Sequence, residues 1–159
     1  MKPVDPKFYY SGSSSPEPYI YNAQVVKITD GDTFDLDVDL GFKMKYGIRV
    51  RLVGLICGIH RQDLGVDAWE KRGSTKELGD KAESFVRKRM KIGDTVRVQT
   101  KPGQKVDGFR RWLAVVFINI DGEWLSIGDI LLEQGLARVW WQGIAKQLRP
   151  IEEGRSMPE

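Results

Sequence analysis

Between Tyr21 and Leu55 the chain alternates apolar and polar residues with a period of two, and few folds accept such a run. Val26, Ile28, Phe34, Leu36 and Val38 share one parity, and Ile48, Val50 and Leu52 continue it around Arg49 and Arg51. A period of two places every second side chain on one face of a strand. The segment therefore reads as a meander of antiparallel strands with one face in the core. Asp35, Asp37 and Asp39 fall on the other parity and read as a solvated strand face.

The period then changes. Residues 56–79 mix turn residues with both polarities and read as a long loop. From Lys76 to Met90 the spacing becomes three and four, with Leu78, Ala82, Phe85, Val86 and Met90 on one face, which predicts an amphipathic helix ended by Gly93-Asp94. Thr95–Gln99 and Trp112–Ile120 read as further strands, and Asp121-Gly122 as a hairpin turn. Ser126 is the expected N-cap of a short helix, Ile127–Gln134, with Gly135 as its C′ residue. Ala137–Trp141 reads as extended. Five short strands with a helix between the third and fourth, plus a short second helix, give a mainly β (α+β) architecture. It is a small OB-fold barrel closed by a helix.

The expected domain is residues 21–143. It is preceded by a flexible tail, 1–20, rich in Ser, Gly and Pro, and followed by a tail or truncated helix at 144–159. Forty-one percent hydrophobic content over 159 residues suffices for one ordinary core. One cysteine, Cys57, excludes an internal disulfide framework. No apolar run reaches transmembrane length and no signal-peptide core is present. The chain as given is thus read as cytoplasmic, and as secreted only if a leader was removed. A net charge of +3 suits a polyanionic partner without demanding one.

Asp30-Gly31-Asp32-Thr33 sits between the first two strands. Two carboxylates one glycine apart either shape a turn or bind a cation. Arg51-Leu-Val-Gly54, Val66-Asp-Ala-Trp-Glu70, Asp107-Gly-Phe-Arg-Arg-Trp-Leu-Ala114 and Gln134-Gly-Leu-Ala-Arg-Val-Trp-Trp141 follow in order. With these five segments the chain resembles the staphylococcal nuclease (thermonuclease-like) family of OB-fold phosphodiesterases, over about Ala23 to Trp141.

What the resemblance implies is a calcium site and two arginines. Asp32 and Asp67 become metal ligands with the Ala68 carbonyl, and Glu70 contacts the nucleophilic water. Arg51 becomes the strand arginine and Arg111 the loop arginine. Thr33 supports the site, Phe109 stands where the family has a tyrosine, and Trp141 falls where a tyrosine lies against the base. Apart from the resemblance, Arg110 and Lys105, with Lys101 and Arg111 around a Gly-containing loop, read either as a track for a phosphate backbone or as a solvated basic loop. This alignment treats Leu55–Gly65 as an insertion and places Trp69 where the family has proline. Without the gap, Ile56 and Ile59 take the acidic positions and catalysis is lost.

Calcium takes hard oxygen ligands, and arginine forks stabilise charge on a transferring phosphoryl group. The implied activity is calcium-dependent hydrolysis of DNA, single-stranded or frayed, and of RNA, with little sequence preference, by a monomer with no membrane partner. The alternative is a catalytically degenerate module that binds single-stranded nucleic acid or a protein. His60, Cys57 and Asp63 in the insertion offer three donors to zinc, a set more simply read as a solvated loop.

Overall fold

The computed structural model describes residues 19–54, 64–100, 106 and 108–141. In chain order these form β1 (Ile20–Ile28), β2 (Thr33–Gly41), β3 (Met44–Leu52), β4 (Leu64–Ala68), α1 (Lys76–Arg89), β5 (Thr95–Gln99), β6 (Trp112–Ile120), β7 (Glu123–Ser126), α2 (Ile127–Glu133) and β8 (Ala137–Trp141).

β1 pairs antiparallel with both β2 and β5, β2 with β3, and β5 with β6. The ring closes where Val50–Leu52 of β3 run parallel to Trp112–Ala114 of β6. Closure removes the free edges that an open sheet of these strands would expose. The result is the expected five-stranded OB-fold barrel, with α1 between its third and fourth strands and α2 as the short second helix. The interior is filled by Phe34, Leu36, Val50, Leu52, Val96, Val116 and Ile118, capped by Val86 and Met90 of α1 and Ile127 and Leu131 of α2.

The local signals work as their chemistry requires. Asp121 and Gly122 both have positive φ, as a tight hairpin turn needs, and the Asn119 side chain accepts from the Gly122 amide at 2.9 Å. Ser126 Oγ accepts from the Asp129 amide, and Gly135, at φ 70°, ends α2. Among the described residues, no helix is long and apolar enough to cross a membrane.

Three expectations are corrected. Val26 is exposed, because a bulge between Val25 and Lys27 turns Val25 inward and restores the parity at Ile28. The segment read as a loop over 56–79 contains β4, whose partner β8 lies some seventy residues away in sequence. Leu78 lies at the exposed margin of α1, while Gly79, Ala82, Val86 and Met90 form the buried stripe. The helix thus presents Gly79 to the segment that follows β4 and Ala82 to Gly31 at the β1–β2 junction.

Candidate active site

Gly31 lets the β1–β2 junction lie against two other elements. A Cβ there would fall 2.8 Å from the Ala68 Cβ and 3.2 Å from the Ala82 Cβ, so only glycine permits the approach. Asp30 shapes the turn, its Oδ1 accepting from the Asp32 amide at 3.1 Å. Asp32 is consequently carried inward. Its Oδ2 accepts from the Ala68 amide and its Oδ1 from the Thr33 hydroxyl, both at 2.9 Å. Only 6% of Asp32 is exposed. Burial pushes its carboxyl up to about 7, against the pull of Arg51 and helped by the neighbouring Asp30 charge.

Asp67 reaches the same place from β4. The β4–β8 pairing sets Asp67 opposite Arg138, whose Nε donates to Asp67 Oδ2 at 2.8 Å. Arg51, opposite Thr33 in the β2–β3 register, donates from Nη2 to Asp67 Oδ1 at 2.9 Å. That nitrogen is also 3.8 Å from Asp32 Oδ2. One guanidinium therefore bridges two carboxylates from distant parts of the chain.

Arg111 enters just before β6, and its Nη1 lies 3.5 Å from Thr33 Oγ1. Thr33 links Arg111 to Asp32 through a single hydroxyl. Glu70 stands exposed beyond the end of β4, held through its backbone: its carbonyl accepts from the Thr75 hydroxyl at 2.9 Å. Gly79 of α1 supports it from below, where a Cβ would meet the Glu70 carbonyl carbon and oxygen at 2.5 Å. Trp69 donates its indole N–H to the Gly135 carbonyl at 2.9 Å and carries Arg138 over its ring.

Asp30, Asp32, Arg51, Asp67, Glu70 and Arg111 line one cleft of about 550 Å³. A larger hollow, about 920 Å³, follows the solvent face of α1, but its Lys76–Asp80 and Lys81–Glu77 pairs are ordinary helix-surface ion pairs. The cleft is where separately encoded charges converge.

The other expected residues fall elsewhere. Phe109, 78% exposed, has the Arg111 guanidinium 5.0 Å from its ring centre, and with Arg110 it lines a neighbouring groove rather than the cleft. Lys105, the Trp141 side chain, and Cys57, His60 and Asp63 lie outside the described residues. Arg138 and Gly79 were not anticipated. A glycine inside a helical pattern is a recognisable signal of close approach, whereas Arg138 depends on a strand pairing that the sequence does not announce.

The donors fit a hard divalent cation in kind: two carboxylates and a backbone carbonyl, all oxygen, with the Asp32 carboxylate buried. They are few in number. Among the described residues, no three His, Cys, Asp or Glu side chains gather as a metal-binding group. Water and substrate oxygens would have to complete any coordination shell.

Residues 63–153 match the family described as staphylococcal nuclease homologue. An uncharacterized protein of Methanocaldococcus jannaschii is 31% identical over 128 residues, covering 76% of this chain. The chain spans 59% of that relative's length.

Proposed function

The chain belongs to the staphylococcal nuclease homologue family, and on that premise we propose that it is a calcium-dependent nuclease acting on single-stranded or frayed DNA and on RNA. The observation that carries the reading is the convergence of Asp32, Arg51, Asp67, Glu70 and Arg111, from separate stretches of sequence, on one cleft.

Asp32, Asp67 and the Ala68 carbonyl would hold the calcium ion. When bound, it would neutralise phosphate charge and favour ionisation of a nearby water. The remaining work belongs to the chain. Arg51 and Arg111 offer fixed forks of N–H donors to phosphate oxygens as charge builds there. Arg111 is oriented by Thr33 and by the Phe109 ring. Glu70 keeps its carboxylate at the solvent edge, where it accepts a proton from the attacking water. The proposed products carry 3′-phosphate and 5′-hydroxyl ends, and the proposed active species is a monomer.

A second reading, nucleic-acid binding without cleavage, draws on the pairing of both Asp67 oxygens with arginines. Incubating an end-labelled single strand with the protein in calcium or in EGTA separates the two. Cleavage in calcium alone, leaving 3′-phosphate ends, is expected. Metal-independent binding with an intact strand would favour the second reading.

A further inference from the structure

Leading away from the cleft, the outer face of β2 and β3 forms one wall of a second groove, about 460 Å³ in volume. The register sets Thr33 opposite Arg51, Asp35 opposite Arg49 and Asp37 opposite Gly47. Alternate residues share a face, so this row of pairs is the direct continuation of the Arg51 site. Asp35 and Arg49 neutralise each other at 2.8 Å. Asp37 is different. The residue across from it is glycine, and a Cβ at Gly47 would meet nothing within 4 Å, so the wall has a notch there. Asp37 is half-buried, and its side chain makes no hydrogen bond or ion pair among the described residues.

The groove also contains Phe109, with its ring largely exposed, and Arg110, held at φ 61°. That is an uncommon backbone region for a non-glycine residue, and such residues concentrate at functional positions. A carboxylate unpaired among the described residues, an open notch, an aromatic face and a guanidinium thus line one groove beside Arg111. Flat rings of single-stranded nucleic acid are held in this way, by stacking on aromatic or arginine planes and by hydrogen bonds along the base edge.

The carboxylate selects among bases. It only accepts hydrogen bonds. Guanine offers it two adjacent donors, N1–H and the N2 amino group. Cytosine and adenine each offer one amino group. Thymine and uracil offer an imide N–H flanked by two carbonyl oxygens, which repel a carboxylate. We propose that this groove is a nucleobase subsite in which Asp37 selects guanine over thymine or uracil. The proposal rests on the nuclease reading for its polymer substrate. Asp37 lies four residues along β2 from Thr33, about 13 Å at strand spacing, so the base read belongs to a nucleotide flanking the bond cleaved.

The test compares fluorescently labelled oligothymidylate with the same strand carrying guanine substitutions. Wild type, Asp37→Ala and Phe109→Leu are measured by anisotropy and, in calcium, by cleavage mapping. The wild type should bind the guanine strand about tenfold more tightly, the discrimination expected of one well-made polar base contact. Asp37→Ala should bind the two strands alike, and Phe109→Leu should weaken binding of both. Circular dichroism checks that each variant remains folded. Equal wild-type affinities, or a preference that survives in Asp37→Ala, would overturn the subsite even if the strand is cut. A preference that Asp37→Ala removes, with no cleavage by wild type, would uphold the subsite and overturn the nuclease. No binding to either strand would overturn both.

Discussion

Replacing Gly79 with alanine sets two opposed effects against each other. Alanine is favoured over glycine in a helix interior by ~1 kcal/mol, so propensity alone predicts a more stable protein. The new Cβ, however, would stand 2.5 Å from the Glu70 carbonyl carbon and oxygen and 2.7 Å from the Lys71 nitrogen. These are backbone atoms and cannot swing aside as a side-chain tip can. Either α1 shifts from the barrel or the 70–71 segment moves outward, and forced repacking of this kind costs roughly 1–3 kcal/mol. The net expectation is a loss of about 1 kcal/mol, a fall in Tm of a few degrees for a domain of this size. Because the displaced atoms belong to Glu70, the activity of Gly79→Ala should fall by more than its stability predicts. Thermal unfolding followed by circular dichroism, with the exposed Lys88→Ala on the same helix as control, gives the first quantity. The cleavage rate of a single-stranded oligonucleotide at a temperature where both proteins are folded gives the second. A Gly79→Ala protein with raised Tm and full activity would refute the seating of α1 against Glu70.

Asp32→Asn should stabilise the calcium-free protein above pH 7. The Asp32 carboxyl titrates near 7 in the fold against an ordinary 3.8, so the stability of its neutral form is complete below 3.8 and is lost as pH rises through 7. The ionised form then costs up to ~4 kcal/mol. The advantage of Asn in denaturant titrations should shrink as pH falls and vanish near 3.8; a pH-independent difference would contradict the burial argument. Arg138→Ala should cost ~1 kcal/mol, since its pair with Asp67 is only partly buried. By freeing Asp67 Oδ2 it should also tighten calcium binding in a calorimetric titration, and weaker binding would count against Asp67 as a ligand.

The barrel was legible because its signals are local. Alternation from Phe34 to Val38, the Asp121-Gly122 turn and the Ser126 cap each act over a few residues, and the structure uses each as read. What escaped depends on distant parts of the chain. β4 is short, and its pairing with β8 is set by tertiary contact rather than by pattern. The inward turn of Val25 comes from a bulge, which shifts parity by one residue and leaves no mark in composition. The same holds for the cleft. Asp32 and Arg51 could be placed from their strands, and Asp67 reaches them only if residues 55–65 are read as additional. Its second arginine, Arg138, followed from nothing in the local sequence.

In the proposed reaction Arg111 is aimed at charge that develops during phosphodiester hydrolysis. Single-turnover cleavage of a single-stranded oligonucleotide in saturating calcium, by wild type and by Arg111→Ala, tests it most directly when paired with the substrate Kd of each. Arg111→Ala should cleave roughly a hundredfold to a thousandfold more slowly with Kd nearly unchanged, the mark of a group that acts mainly on the transition state. A weakened Kd with an unchanged cleavage rate would contradict it and leave Arg111 as a residue that only holds the strand.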